Sequence, residues 1–231
     1  MAHNERITMK ETTTETAKLE RHKPHQKYSI DGVKVPGVTT ILGIIDKSGP
    51  LIHWAWKLGT EGKDYKKERD KAADIGTIAH FMSECYIKGK AADLNDYTPE
   101  EIEAADVCFQ KFVEYWNREQ LTLDASEAQL VSKIHRFGGT LDIVVLDNGF
   151  RRCLFDLKTS KAIYESYWWQ LAAYKLLWEE NHPDKPIERN IICRIGKEEA
   201  GDFEVLERTD LTKETDIFLK AKELYNAVKG K

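Results

Sequence analysis

Apolar positions fall into two regimes along this chain, helical before about residue 120 and largely extended after it. In the first regime, VTTILGIIDK and LIHWAWKLG read as two short apolar helices divided by the breaker Ser48-Gly49-Pro50. A charge-dense start, KDYKKERDK, leads into a third helix. Its apolar positions Ile75, Ile78, Ala79, Met82 and Tyr86 recur at helical spacing and stop near Gly89. Thr98-Pro99-Glu100-Glu101 predicts a further helix start, with Thr as cap, Pro in the first turn and acids at the positive helix end. Ala105, Cys108, Phe112, Val113 and Trp116 carry that helix to about Arg118. Ahead of all these, Tyr28 to Val35 reads as a hairpin turning on Asp31-Gly32 and ending at Pro36-Gly37. Residues 1–26 are polar and aperiodic, and read as a mobile tail.

From residue 121 the pattern changes. LTLDASEAQLVSKI, GGTLDIVVLD and FRRCLFDLKT are β-rich segments separated by Gly-containing turns. Residues 164–180 return to helix, ERNIICRIG and DFEVLER are two more strands, and an amphipathic helix closes the chain from about Leu211 to Val228. The order predicts an α/β protein, a central mixed sheet flanked by helices with a helical N-terminal half. No linker divides residues 27–231, so one domain is expected, with 27–120 as a mainly helical front and 121–231 as the sheet and its flanking helices.

Composition changes this picture only at its edges. Forty-one percent apolar and 32% charged residues are ordinary for a globular chain. No run approaches the ~18 apolar residues of a membrane span, and the N-terminus lacks a signal-peptide core, so a cytoplasmic protein without a membrane partner is expected. A formal net charge of −4 is uninformative by itself; proteins that coat duplexes are usually basic, so any nucleic-acid role here is expected to rest on a local surface or on a metal. The four cysteines, Cys85, Cys108, Cys153 and Cys193, are widely spaced with no CxxC. They are expected as small core residues rather than as zinc or iron–sulfur ligands. His22 and His25 flank Pro24 in the tail and are expected to be solvated.

The chemistry concentrates between Gly138 and Lys158. One register of the predicted hairpin gathers Leu141, Ile143 and Val145 with Cys153, Phe155 and Leu157 on an apolar face, and leaves Asp142, Val144, Leu146, Arg152, Leu154, Asp156 and Lys158 on the other. A slip of one residue would mix charge into both faces, so the first register is expected. It sets Asp142 across from Asp156 with Lys158 one pleat further on, and it requires an odd loop, most simply of three residues with Gly in the left-handed position. Opposed carboxylates repel unless a cation lies between them. Mg²⁺, which takes one or two carboxylates and completes its shell with water and phosphate, is one explanation. An ordinary solvated sheet with an Asp/Lys salt bridge is the other.

Asp142 followed by Asp156-Leu157-Lys158 resembles the D…(D/E)xK signature of the PD-(D/E)xK nuclease superfamily. Gly139-Thr140-Leu141-Asp142, Asp156-Leu157-Lys158-Thr159-Ser160, Gln170-Leu171-Ala172-Ala173-Tyr174 and Gly76-Thr77-Ile78-Ala79-His80 resemble four motifs of its RecB-like exonuclease branch, in order, over residues 76–174. VPGVTTIL and HWAWKLG resemble the helical lead-in of phage and mitochondrial members.

The resemblance implies the restriction-endonuclease-like core. It further implies Asp142, Asp156 and Lys158 as catalytic residues, and His80, Asp142, Asp156 and the Leu157 carbonyl as ligands of one or two Mg²⁺ or Mn²⁺ ions. Gln170 and Tyr174 would steady the site or contact DNA, or else make a plain helix-to-sheet contact. Glu84, one turn beyond His80, and Glu127, ahead of the hairpin, are weaker candidates. The implied activity is metal-dependent hydrolysis of DNA from its ends, in recombination, repair or replication, in a bacterial or phage-infected cytoplasm. No iron–sulfur cluster and no fused motor are expected, and a single-strand-binding or annealing recombination protein is a candidate partner. The alternative is a module on the same fold that holds nucleic acid or protein without cutting it. Lys133, Arg136, Arg151, Arg152, Lys158 and Lys161 suggest a phosphate-tracking groove, and of the rings Tyr167, Trp168, Trp169 and Trp178, most are expected in the core.

Overall fold

The structure is a computed structural model that describes residues 15–18, 27–45, 53, 56–195 and 203–229. Thr16–Lys18 forms β1 and Tyr28–Ile30 and Val33–Val35 form the hairpin β2–β3, whose turn residues Asp31 and Gly32 have the positive φ values, 50° and 77°, that a tight turn demands. Helix α1 (Val38–Leu42) follows and is shorter than the pattern suggests, because Gly43 closes it after five residues. The Ser48-Gly49-Pro50 break, the tail histidines and part of LIHWAWKLG lie outside the described residues, although 56–60 are helical. Helix α2 (Tyr65–Ile87) and strand β4 (Ala91–Asp93) precede α3 (Pro99–Arg118). Thr98 caps α3 as anticipated: its Oγ1 accepts from the Glu101 amide at 3.3 Å, and Glu101 Oε2 accepts from the Thr98 amide at 2.9 Å. This reciprocal pair satisfies two otherwise orphaned donors.

Two short strands escape the sequence pattern. Thr16–Lys18, read as tail, pairs in parallel with Ala91–Asp93. Neither segment alternates over enough residues to carry a signal, and each is a strand only because the other lies beside it.

The remaining strands, β5 (Thr122–Ser132), β6 (Phe137–Asp147), β7 (Arg151–Lys158), β8 (Arg189–Ile195) and β9 (Phe203–Arg208), form a five-stranded sheet in sequential order. Only β7 and β8 run parallel, joined by helix α4 (Glu165–Asn181), and α5 (Thr212–Lys229) follows β9. One face of the sheet packs on α1, α4 and α5 through Leu42, Val144, Leu154, Leu171, Leu177 and Phe218. The other packs on α2 and α3 through Ile78, Phe112, Ile143, Phe155 and Ile191. The result is a three-layer α/β arrangement. Both faces of β8 are covered, so its whole length is buried, with Ile191, Ile192, Cys193 and Ile195 as its apolar residues and Arg189, Asn190 and Arg194 as buried polar ones.

The β6–β7 register is the anticipated one, with Ile143 opposite Phe155, Val145 opposite Cys153 and Asp147 opposite Arg151. The connecting loop is therefore Asn148-Gly149-Phe150, with Asn148 and Gly149 at φ 43° and 75°. Leu141 departs from expectation: it packs with Val144 and Leu154 rather than with Ile143. It lies in the half of β6 that has already left β7 and pairs with β5 alone.

All four cysteines are buried and free. No described helix is long and apolar enough to cross a membrane.

Candidate active site

Asp156 follows Leu154 on the same face of β7, so it points to the α4 side of the sheet, where it is only 2% exposed. Lys158, two residues on, returns to it along that face. Its Nζ donates to Asp156 Oδ1 at 2.9 Å. Oδ2 lies 2.8 Å from the same nitrogen, close enough for an ion pair but misaligned for a hydrogen bond. The buried oxygen thus has the ammonium beside it but no hydrogen bond of its own.

The electrostatics follow from this placement. Loss of solvent pushes the Asp156 carboxyl up; Lys158 and His80 pull it down, Asp142 adds to the rise, and it settles at about 6. Burial pulls the Lys158 ammonium down, but Asp156 and Asp142 outweigh it and the net direction is upward. Asp142 is half-buried and directly precedes Ile143, the residue of β6 that pairs with Phe155 of β7. Its charge is felt by Asp156, by Lys158 and by the buried Tyr174 phenol, which burial and that charge together hold above its ordinary range. Two acids and an ammonium therefore act on one another.

Two glycines let neighbouring elements close over this face. A Cβ on Gly139 would stand 2.8 Å from Leu177 Cδ1 and 2.9 Å from Tyr174 Cε1, so those side chains of α4 would have to shift to make room for it. A Cβ on Gly138 would stand 2.3 Å from Tyr28 Cγ. Tyr28 fills that space and shares a 3.0 Å hydrogen bond with Thr140 Oγ1. Gln170 Nε2 donates to the Tyr174 hydroxyl at 2.8 Å. That bond joins the two motif residues to each other, and Tyr174 stands within the core packed on the sheet.

His80 comes from α2, and its Nδ1 is 3.3 Å from Glu84 Oε1, one turn further along the helix. Glu127 lies between the residues of β5 that pair with Leu141 and Ile143, and has φ 51°, unusual for a residue with a side chain. Its carboxylate is 3.4 Å from Lys88 Nζ. Among the described residues, no three His, Cys, Asp or Glu side chains converge closely enough to hold a metal ion by themselves. Leu157 is buried, its side chain in the core on the α2 and α3 side.

Two arginines of the basic cluster seen in the sequence are held by acids. Arg151 pairs with Asp147 at 2.8 Å and Arg152 with Asp124 at 2.7 Å, both at the far end of the hairpin from Asp156. Trp168 and Trp178 are core residues, as most of the aromatic group was expected to be. Three residues near the site carry no sequence signal strong enough to nominate them. Tyr28 reaches it from the N-terminal hairpin, and Tyr167 puts its ring 5.2 Å from Lys158 Nζ. Arg194, opposite Lys158 on β8, donates to the Ser160 carbonyl at 3.1 Å and pairs with Glu204. An arginine inside an apolar strand was the one available hint.

No family model and no curated protein sequence matches this chain. Among solved structures it is similar to a provisionally named exonuclease of Eubacterium rectale, at 14% identity and TM-score 0.45, over 65% of this chain and 64% of that one. It is also similar to the protein SSO0001, at 14% identity and TM-score 0.35, over 69% of this chain and 75% of that one. The chain thus spans slightly less than two thirds of the Eubacterium protein.

Proposed function

We propose that this chain is a metal-dependent deoxyribonuclease of the PD-(D/E)xK type, of the RecB-like branch, that hydrolyses phosphodiester bonds from DNA ends. The observation that carries the reading is the buried Asp156, its Oδ2 without a hydrogen bond, its other oxygen held by Lys158, and Asp142 on the facing strand.

The donor chemistry fits a hard divalent ion. Asp142 and Asp156 offer carboxylate oxygens and Leu157 a backbone carbonyl, while His80, oriented by Glu84, offers a ring nitrogen from α2. Mg²⁺ is ordinarily held by one or two carboxylates, water and substrate phosphate rather than by an all-protein cage. Bound Mg²⁺ or Mn²⁺ would polarise a phosphoryl oxygen and lower the pKa of water. Lys158 keeps its proton, because the two acids stabilise its charge. It therefore serves as a fixed positive charge and hydrogen-bond donor toward the charge that develops on the phosphate, not as a base. Tyr174 lies against Gly139 of the strand that carries Asp142, and Gln170 donates to the Tyr174 hydroxyl.

The test is digestion of end-labelled single- and double-stranded DNA with Mg²⁺, with Mn²⁺ or with EDTA. Metal-dependent degradation that is lost in Asp156→Ala and in Lys158→Ala, each verified as folded by circular dichroism, is the expected result. Retention of DNA without cleavage under any metal overturns the enzyme reading in favour of a binding module.

A further inference from the structure

We propose that Tyr164 is a stacking platform for an unpaired nucleobase of the substrate strand, held beside the reacting phosphate by Tyr167. The proposal rests on the nuclease reading and adds to it a substrate class, DNA whose terminal bases are single-stranded or frayed.

The aromatic residues of this region divide by burial. Trp168 is 1% exposed and Trp178 3%, so neither can meet a base. Tyr164 is 47% exposed. Its ring packs edge-on against Tyr167, with centroids 5.5 Å apart and planes at 83°. Tyr167 in turn lies 5.2 Å below the Lys158 ammonium, the group assigned above to the phosphate. Aromatic surface therefore runs from the ammonium at the site, through a half-buried ring, to an exposed one. Tyr167 is a positioning residue in this scheme, since it touches Lys158 and Tyr164, while Tyr164 meets the base.

The position of Tyr164 at the start of α4 is not one that helix capping favours for a tyrosine. It is the N-cap residue of α4, where Ser, Thr, Asp or Asn would bind a free amide, and its side chain makes no capping hydrogen bond. An exposed ring at that position forgoes the cap. A base already stacked within a duplex has no free face to offer, whereas an unpaired base does, and aromatic stacking on it is tolerant of sequence.

The experiment uses the full chain, Tyr164→Ala and Tyr164→Trp. Substrates are end-labelled single-stranded oligonucleotides, natural or carrying one abasic residue at successive terminal positions. Cleavage is followed with Mn²⁺, and affinity is followed separately by fluorescence anisotropy in EDTA. Tyr164→Ala is expected to raise KM and Kd by about five- to a hundred-fold, the loss of one base stack, with a much smaller effect on kcat. Tyr164→Trp should restore both constants. One abasic position should cost the natural protein the same factor and cost Tyr164→Ala nothing further, because the two changes remove one contact. An unchanged Kd in Tyr164→Ala overturns the platform, as does an abasic penalty of equal size in both proteins. If no metal supports cleavage, the nuclease reading falls while the anisotropy comparison still decides the stack.

Discussion

Lys158 folds back along β7 so that its ammonium lies 2.9 and 2.8 Å from the two carboxylate oxygens of Asp156, in a pair that the sheet and α4 remove from solvent. Strand pleating makes the meeting possible, because residues two apart share a face. Burial makes it consequential. A carboxylate at that depth is stable only beside a cation, and one ammonium leaves Oδ2 without a hydrogen bond.

Asp156 should make the fold more stable in mild acid. Its carboxyl is pushed up to about 6 in the folded protein from an ordinary value of 3.8, so the native state binds the proton more tightly than the unfolded chain does. Its contribution therefore improves as pH falls from about 7 towards 4 and is lost as pH rises through about 6, a swing of order ~1–3 kcal/mol. Urea titrations of the natural protein and Asp156→Asn across pH 4–8 measure it. The stability difference between the two proteins should shift in favour of the natural one on acidification, and a pH-independent difference would contradict the assignment.

Cation binding should show the same carboxyl from the other side. An ion at Asp156 must displace its proton, so Mn²⁺ affinity should climb about tenfold per pH unit below about 6 and level off above it. Calorimetric titration of the full chain with Mn²⁺ between pH 5 and 7.5 reads the profile. A flat profile removes Asp156 from the ligand set.

Gly138→Ala should cost ~1–3 kcal/mol by overpacking, since the new methyl would fall 2.3 Å from Tyr28 Cγ and drive the ring away from Thr140. Adding Tyr28→Ala opens that space, so the second change should cost less in the Gly138→Ala background than alone. Denaturant unfolding of the four proteins in the cycle checks this, and additive losses would mean that the ring and the glycine do not meet.

The thiols should be silent. Burial, the largest influence on each, pushes Cys85 up to about 11 and Cys153 to about 12, and drives Cys193 up as well. A chromogenic disulfide reagent at pH 8 should find almost no reactive thiol in the native protein and all four after unfolding. Rapid labelling of the native chain would refute the burial.

Much of the fold was legible because its signals are local. Thr98 and Glu101 lie within one turn, so their capping box is written in neighbouring letters. The β6–β7 register was readable because only one alignment of Ile143, Val145, Cys153, Phe155 and Leu157 avoids burying charge among them, and that alignment dictates the loop Asn148-Gly149-Phe150. Thr16–Lys18 was opaque for the opposite reason: its partner, Ala91–Asp93, is remote in sequence and neither segment is a strand without the other. Arg151 and Arg152 likewise looked available to a ligand until Asp147 and Asp124 came beside them.

By itself, then, the chain's order of residues determined the long helices and the strands of the five-stranded sheet, the hairpin register and the side of the sheet shared by Asp156 and Lys158, since pleating and turn chemistry act over a few residues. Tertiary structure alone decided how deeply Asp156 is buried, that Gly138 and Gly139 admit Tyr28 and α4, and that Tyr167 lies beneath Lys158. Those outcomes depend on solvent exclusion between elements distant along the chain, and no local pattern encodes which surfaces will meet.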